Sequence, residues 1–413
     1  MTGNTTRQSI VDSIRGFSLL GILLSNMLIF QYGILGKERL DLFGASSFDD
    51  GMLIFMKIAV EGSFMPIFTF LFGYGLFKMF DGLEVKRLKP RRVLTRRFIM
   101  LIGLGLLHSI FVWEGDILLF YGVMGFFLML FLKRKEKTVL TWGIVILSLC
   151  VLLGIIFSGS DLATIKTDPA KTEQTITHSI PIYSEGTYLE IKDYRNSGSG
   201  LEDDDELGQV LILLLTLFLT LPMFLFGIYA AKKNWFLSPE QKRKSYLKGA
   251  LFFLLAGYVG KSVPFIWPDF IKSSYELNTA TSFFTLSYVV SFGCILALGY
   301  LLAAAWLLSH IKAIPMASRF AAVGKLSLTN YLLQSIICTS LFYGYGLGLF
   351  GKLGIAGGIG VALLVYLVQL FASVLYLKRF KIGPVEWLLR IWTYWSWNGK
   401  PKTNVVQTTD LKT

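Results

Sequence analysis

Charge is scarce in this chain. Of 413 residues only 16% are charged, against roughly 25% in a soluble domain, while 54% are hydrophobic and 15% aromatic, with 34 Phe. Mean hydropathy is +0.58. A soluble fold of this length cannot hide that much apolar surface, so disordered, disulfide-rich secreted and nucleic-acid-binding classes are excluded. Cysteine is scarcer still. Cys150, Cys294 and Cys338 each lie inside an apolar run, with no spacing for a disulfide or a metal site. Also absent are the phosphate loop G-x-x-x-x-G-K-[ST], the zinc motif H-E-x-x-H and the nucleophile elbow G-x-S-x-G. ATP-driven transport by this chain alone is thereby disfavoured. The polar stretches on the basic side are too short to be catalytic domains, so any chemistry belongs within a membrane bundle.

What is present is a series of apolar runs long enough to cross ~30 Å of hydrocarbon. The expected fold is an all-α integral membrane protein of about ten spans, near 16–34, 53–77, 98–113, 117–132, 139–158, 209–231, 247–267, 281–308, 321–345 and 354–377. Glu114, Gly115 and Asp116 alone separate the third and fourth, which predicts a tight hairpin. With the N-terminus inside, the cytoplasmic pieces are 1–15, 78–97, 133–138, 232–246, 309–320 and 378–413. Counting Lys248 at a border, they hold 29 of the 40 Lys and Arg. The positive-inside rule therefore places both termini in the cytoplasm, in a multi-pass protein of the cell membrane. It also explains most of the net charge of +13. No cleavage site follows the first apolar run, which is expected to stay as an anchor.

Four regions follow. Residues 1–158 form a five-helix half, 159–208 an extracytoplasmic loop, 209–377 a second five-helix half, and 378–413 a basic cytoplasmic tail. The loop carries the acidic run 202–206 and reads as a solvated, partly unfolded segment, with a lid over the outer mouth as the functional alternative. An odd number of spans on each side of it inverts the second half, the geometry of inverted-repeat transporters.

Polar side chains inside spans are costly and default to functional hypotheses. Asn26 and His108 each lie ten residues into a span, ~15 Å deep. Ser327, Asn330 and Gln334 share one face of the ninth span. Glu61 can join this polar layer or pair with Lys57 one turn away, and Lys261 can snorkel outward. His108 is the one histidine within a span. It suits general-base work if a carboxylate orients it. Glu114 and Asp116 follow at the outer end of the same helix, roughly two turns away, so contact requires a bend in the chain or a carboxylate from another helix. Asp12 and Arg15 can pair at the mouth of the first helix, in D-x-x-R-G. Arg96 and Arg97, directly before the span that bears His108, can meet phosphates of a cytosolic ligand.

These motifs are familiar. Val11-Asp12-Ser13-Ile14-Arg15-Gly16, Phe70-Leu71-Phe72-Gly73-Tyr74-Gly75 and Arg96-Arg97 with Gly105-Leu106-Leu107-His108 run through the first half. Trp113-Glu114-Gly115-Asp116, Gly324-Lys325-Leu326-Ser327-Leu328-Thr329-Asn330 and Gly383-Pro384-Val385-Glu386-Trp387 continue to the end. Together they resemble the YeiB-like family of bacterial membrane proteins. The D-x-x-R-G opening is also similar to that of a wider transmembrane acyltransferase superfamily, which includes heparan glucosaminide N-acetyltransferase and bacterial O-acyltransferases. That resemblance implies transfer of an acyl group from cytosolic acyl-CoA, such as acetyl-CoA, to an acceptor across or within the membrane. The O-acyltransferases carry a histidine in the first helix where this chain has Asn26, so His108 would act from another helix.

The leading expectation is accordingly an acyltransferase with no metal and with acyl-CoA as co-substrate. Asp12, Arg15, Arg96 and Arg97 form the cofactor mouth. His108 serves as base or transient acyl carrier with Asp116, and Asn26 or Asn330 donates to the oxyanion. The acceptor is a hydroxyl or amine, the other partner is the bilayer, and a homodimer is compatible with both. The rival expectations are a proton-coupled secondary transporter using Glu61 and His108, and a membrane protein without turnover.

Overall fold

The computed structural model describes residues 2–44, 46–157, 164–166, 169–197, 206–267, 280–310, 315–399 and 401. Helix α1 (Thr2–Gly36) is followed by α2 (Ser47–Phe55), which runs into a π-turn at Met56–Val60. Ser46 and Asp49 close a capping box at the start of α2, each bonding the other's backbone N–H. Next come α3 (Met65–Val85), α4 (Pro90–Phe111), α5 (Leu118–Leu132) and α6 (Glu136–Phe157). Proline stands in the first turn of both α3 and α4, where its missing N–H leaves no carbonyl unpaired. The second half contains α9 (Glu206–Lys232), α10 (Arg243–Ile266), α11 (Phe283–His310), α12 (Pro315–Lys325), α13 (Ser327–Phe342), α14 (Gly354–Arg379) and α15 (Pro384–Tyr394). Between the halves lie α7 (Pro169–Glu185) and α8 (Tyr188–Asn196). Strands β1 (Thr164–Lys166) and β2 (Ala280–Ser282) pair antiparallel, Ile165 opposite Thr281.

Among the described residues, seven helical segments, α2–α3 counted together, are long and apolar enough to cross a membrane, and α5 and Thr216–Lys232 are shorter apolar helices. The protein is an all-α, multi-pass membrane protein. Its apolar surface agrees: Leu130, Leu255, Leu364 and Leu375 on α5, α10 and α14 are more than half exposed, as lipid-facing side chains must be.

Two predicted spans are interrupted. The second breaks at 61–64, between the π-turn and α3. The ninth breaks at Leu326, and the cause is a carboxylate from elsewhere. Glu386, in the first turn of α15, accepts the backbone N–H of Leu328 (2.8 Å) and Thr329 (3.1 Å) and the Thr329 hydroxyl (2.5 Å). It caps the first turn of α13, which would otherwise expose unpaired donors. Helix α15, within the expected tail, is therefore a structural part of the bundle, packed against α13 and α4. The interhelical segment differs from the expected unfolded loop as well. A capping box of Thr187 and Glu190 starts α8, and Ile176, Tyr183 and Ile191 are buried. Of the acidic run, only Glu206 lies within the described residues.

The glycine of D-x-x-R-G is a packing residue. A β-carbon on Gly16 would stand 2.1 Å from the Phe320 carbonyl oxygen, and one on Gly324 would stand 1.9 Å from that of Asp12. Only hydrogens at both positions let α1 and α12 cross so closely.

Candidate functional site

The connection 112–117 folds back beneath α4. Trp113 is fully buried in it and stacks on Phe30 with centroids 4.2 Å apart. Gly105 lets α5 approach, since a β-carbon there would meet the Leu119 nitrogen at 2.3 Å and Asp116 Oδ1 at 2.6 Å. The bend carries Asp116 to His108, with His108 Nδ1 2.8 Å from Asp116 Oδ2. Both side chains are 2% exposed. Facing a carboxylate, Nδ1 carries the hydrogen and donates it, which fixes the orientation of the ring. Asp116 Oδ1 accepts the Leu119 N–H at 2.8 Å, so the same residue caps α5. His108 Nε2 is buried without a hydrogen-bond partner among the described residues. His108 lies in the last turn of α4 rather than mid-helix, because α4 starts at Pro90, before the apolar run.

Two cavities flank this turn. The first, about 600 Å³, is lined by Asp12, Arg15, Arg97, Lys325, Lys381 and Arg390, together with apolar residues of α1, α3 and α4. Arg15 donates to Asp12 at 3.1 Å. Arg97, Lys325, Lys381 and Arg390 have no salt-bridge partner among the described residues. Glu386, the cavity's other acid, is engaged at α13. The chamber is thus built for an anion. The second, about 650 Å³, is almost wholly apolar, with Ser25, Asn26, Asp116, Thr216 and Tyr331 as its polar side chains. Both volumes fall in the ~300–1,000 Å³ range of small-molecule sites. Ile22, Ile117 and Tyr331 border both cavities and form the partition between them. Tyr331 is fixed there by donating to the Gly115 carbonyl (3.2 Å) and accepting the Ile117 N–H (3.3 Å).

The remaining expected site residues divide. Asn26 lines the apolar cavity and its amide has no partner among the described residues. His108 lines neither cavity and stands behind Asp116, its ring 5.5 Å from that of Tyr331. Asn330 lines neither. Its side-chain amide nitrogen donates to Val323 O (3.3 Å) and Ser373 Oγ (3.0 Å), and its backbone carbonyl accepts from Gln369 Nε2. Arg97 faces the basic cavity, whereas the Arg96 guanidinium lies 4.9 Å over the Trp395 ring. Glu61 belongs to a separate cluster. It pairs with Lys37, and Lys57 instead donates to Glu38 at 2.6 Å. Lys261 is buried rather than snorkelling, its ammonium held by the Glu61 carbonyl and Ser63 Oγ. No group of three or more His, Cys, Asp or Glu among the described residues could hold a metal ion.

Sequence reasoning passed over Tyr331, Lys381, Arg390, Glu386 and Arg195. Tyr331 reads as core, and the cations read as interface anchors. Glu386 had a usable signal, an acid two residues after a helix-starting proline. Arg195 clamps the end of α4, donating to Val112 O and Ile110 O at 2.9 Å each, while its Nε lies 3.6 Å from Glu114 Oε2. With Tyr188, which donates to Phe111 O at 2.7 Å, it satisfies carbonyls that a helix end leaves orphaned. Burial pushes the Glu114 carboxyl above its usual range, and Arg195 opposes this only in part.

Among proteins of known sequence, a family described as "Protein of unknown function (DUF418)" matches residues 230–396. YxaH of Bacillus subtilis (strain 168) is 31% identical, covering 95% of each chain. YeiB of Escherichia coli (strain K12) is 26% identical over 93% of this chain and 95% of its own. A 39.9 kDa protein encoded in the amylase 3′ region of Bacillus acidopullulyticus is 26% identical over 93% of each. No solved structure matches.

Proposed function

The chain belongs to the YeiB-like family, and we propose that it is a membrane acyltransferase that takes acyl groups from cytosolic acyl-CoA in the cell membrane. The observation that carries this reading is a buried His–Asp pair whose Asp116 lines an apolar chamber that adjoins a basic one. Positive-inside charge puts the basic chamber, and both termini, on the cytosolic side. There Arg15, Arg97 and Lys325 hold the phosphates of CoA, and the guanidinium forks suit them. The thioester reaches toward Tyr331, Ile22 and Ile117. The acceptor hydroxyl or amine meets Asp116 from the second chamber.

In the reaction the acceptor's O–H or N–H bond breaks and its heteroatom bonds to the thioester carbonyl carbon. The C–S bond breaks, and CoA leaves as a thiolate. Asp116, on the cavity wall, receives the acceptor proton. His108 behind it steadies the carboxylate through Nδ1–H, and the pair returns the proton to the departing thiolate. Asn26, with its amide unengaged, is the oxyanion donor. Leaving His108 Nε2 unsatisfied costs about 1–3 kcal/mol. A group kept at that cost is more readily explained by proton exchange than by packing.

Purified protein titrated with acetyl-CoA and longer acyl-CoAs tests the reading by thermal shift. Saturable stabilisation that is weakened in Arg97→Gln is expected. Folded protein that no acyl-CoA stabilises would reject it, and proton-driven uptake into proteoliposomes would then be measured.

A further inference from the structure

The chemistry of the second chamber restricts what it can accept. Of its polar side chains, Asp116 and Tyr331 are already hydrogen-bonded within the protein, while Ser25 and Asn26, neighbours on α1, have no partner among the described residues. Thr216 adds one hydroxyl, and the other side chains of the lining are hydrocarbon, among them Met65, Leu119, Phe120, Val123 and Leu217. A sugar or nucleotide placed there would leave most of its hydroxyls unpaired, at about 1–3 kcal/mol each. A hydrocarbon chain would leave none.

We propose that the chamber between α1, α3, α5 and α9 binds a single-headed lipid, a long-chain alcohol or amine, as the acyl acceptor; this rests on the acyl-transfer reading above. Its head group sits between Asn26 and Asp116, and its chain fills the apolar remainder. The acceptor occupies this chamber, rather than the acyl chain of the donor, because Asp116 is among the residues that line it and not among those that line the basic one. A donor chain lodged here would press methylenes against the Asn26 amide. The transfer then balances as an ester or amide of the lipid plus free CoA thiol, with the head-group proton passing through Asp116 to the thiolate.

Full-length protein in lipid nanodiscs, photolabelled with a ten-carbon alcohol bearing a diazirine, is the test. Expected is saturable labelling of peptides from α1, α5 and α9, prevented by excess decan-1-ol. Val123→Trp, which fills the chamber, lowers it about tenfold, and so does the milder Leu217→Phe. Stabilisation by acetyl-CoA is retained in both. Labelling that is unsaturable and equal on all lipid-facing helices overturns the proposal. So does displacement of the probe by decanoyl-CoA and not by decan-1-ol, which would make the chamber the donor's. Saturable labelling without any effect of acyl-CoA would leave a lipid site and remove the acceptor role. Acyl-CoA stabilisation without saturable labelling would spare the transferase reading and sink the lipid acceptor. The site and competition of labelling in the wild type decide the matter even where a filled variant fails to fold.

Discussion

Two polar clusters stand near Tyr331, and they differ in whether a side-chain nitrogen is left open. Around α13 and α14, Asn330, Gln334, Gln369 and Ser373 bond one another and the Val323 carbonyl. At the α4–α5 turn, His108 keeps one nitrogen open, and the Asn26 amide on α1 has no partner, among the described residues. Residue type alone does not separate the two clusters. A closed amide network orients helices, because each member would be costly if left alone. An open valence inside a bundle is costly as it stands, and it is where a substrate or proton can be received.

If that division is right, substitutions on the two sides fail in different ways. The largest effect is expected from Asp116→Asn, which keeps the shape but not the base. Turnover measured with radiolabelled acyl-CoA should fall ~10²–10⁴-fold, with the melting temperature changed little. Asn26→Leu follows at ~10²–10³-fold, the range for a lost oxyanion donor, again with normal stability. Asn330→Ala should do the reverse. It should cost about 2–4 kcal/mol of stability through lost bonds and a small cavity, while activity per folded molecule is preserved. Were Asn330→Ala stable and inactive, the closed network would itself have to be part of the site.

The neighbouring arginines provide a gentler contrast. Arg97→Gln should weaken acyl-CoA binding ~10–100-fold, the worth of one charged hydrogen-bonding group. Arg96→Gln should change it about twofold or less, because that guanidinium already stacks on Trp395. Equal losses in isothermal titration would mean that the ligand approaches over α15 rather than between α1 and α4.

How much of this was legible in the sequence follows the same line. The all-α membrane class and the α4–α5 hairpin were readable, because apolar length is a local property. The pairing of Asp12 with Arg15 was readable too, since i, i+3 spacing fixes it. The dyad was readable only as a condition, that the chain must bend; the bend depends on Gly105 and on Trp113 packing against Phe30 of α1. Asn330 and Asn26 were indistinguishable, because saturation depends on residues such as Ser373 and Gln369, far along the chain. The breaks at 61–64 and at Leu326 were hidden as well. The second arises from Glu386, some sixty residues away, in what reads as a basic tail.

The smallest effect expected concerns the other acid of the turn. Asp116 accepts two hydrogen bonds within 2.8 Å, whereas Glu114 has only a 3.5 Å contact from the Tyr183 hydroxyl and the more distant Arg195. Its folded-state pKa is raised above the ordinary 4.5, chiefly by burial. An acid raised on folding leaves stability intact below the unfolded pKa, where both states hold the proton. As pH rises past 4.5 the unfolded chain ionises first, and stability is lost until the folded carboxyl has also ionised. Wild type should therefore lose melting temperature on going from pH 4 to neutrality by more than Glu114→Gln does, with the gap closing at the acid end. Parallel curves would mean that Arg195, already bonded to two α4 carbonyls, neutralises Glu114 fully, and that the turn is closed at this acid as the amide network is closed at Asn330.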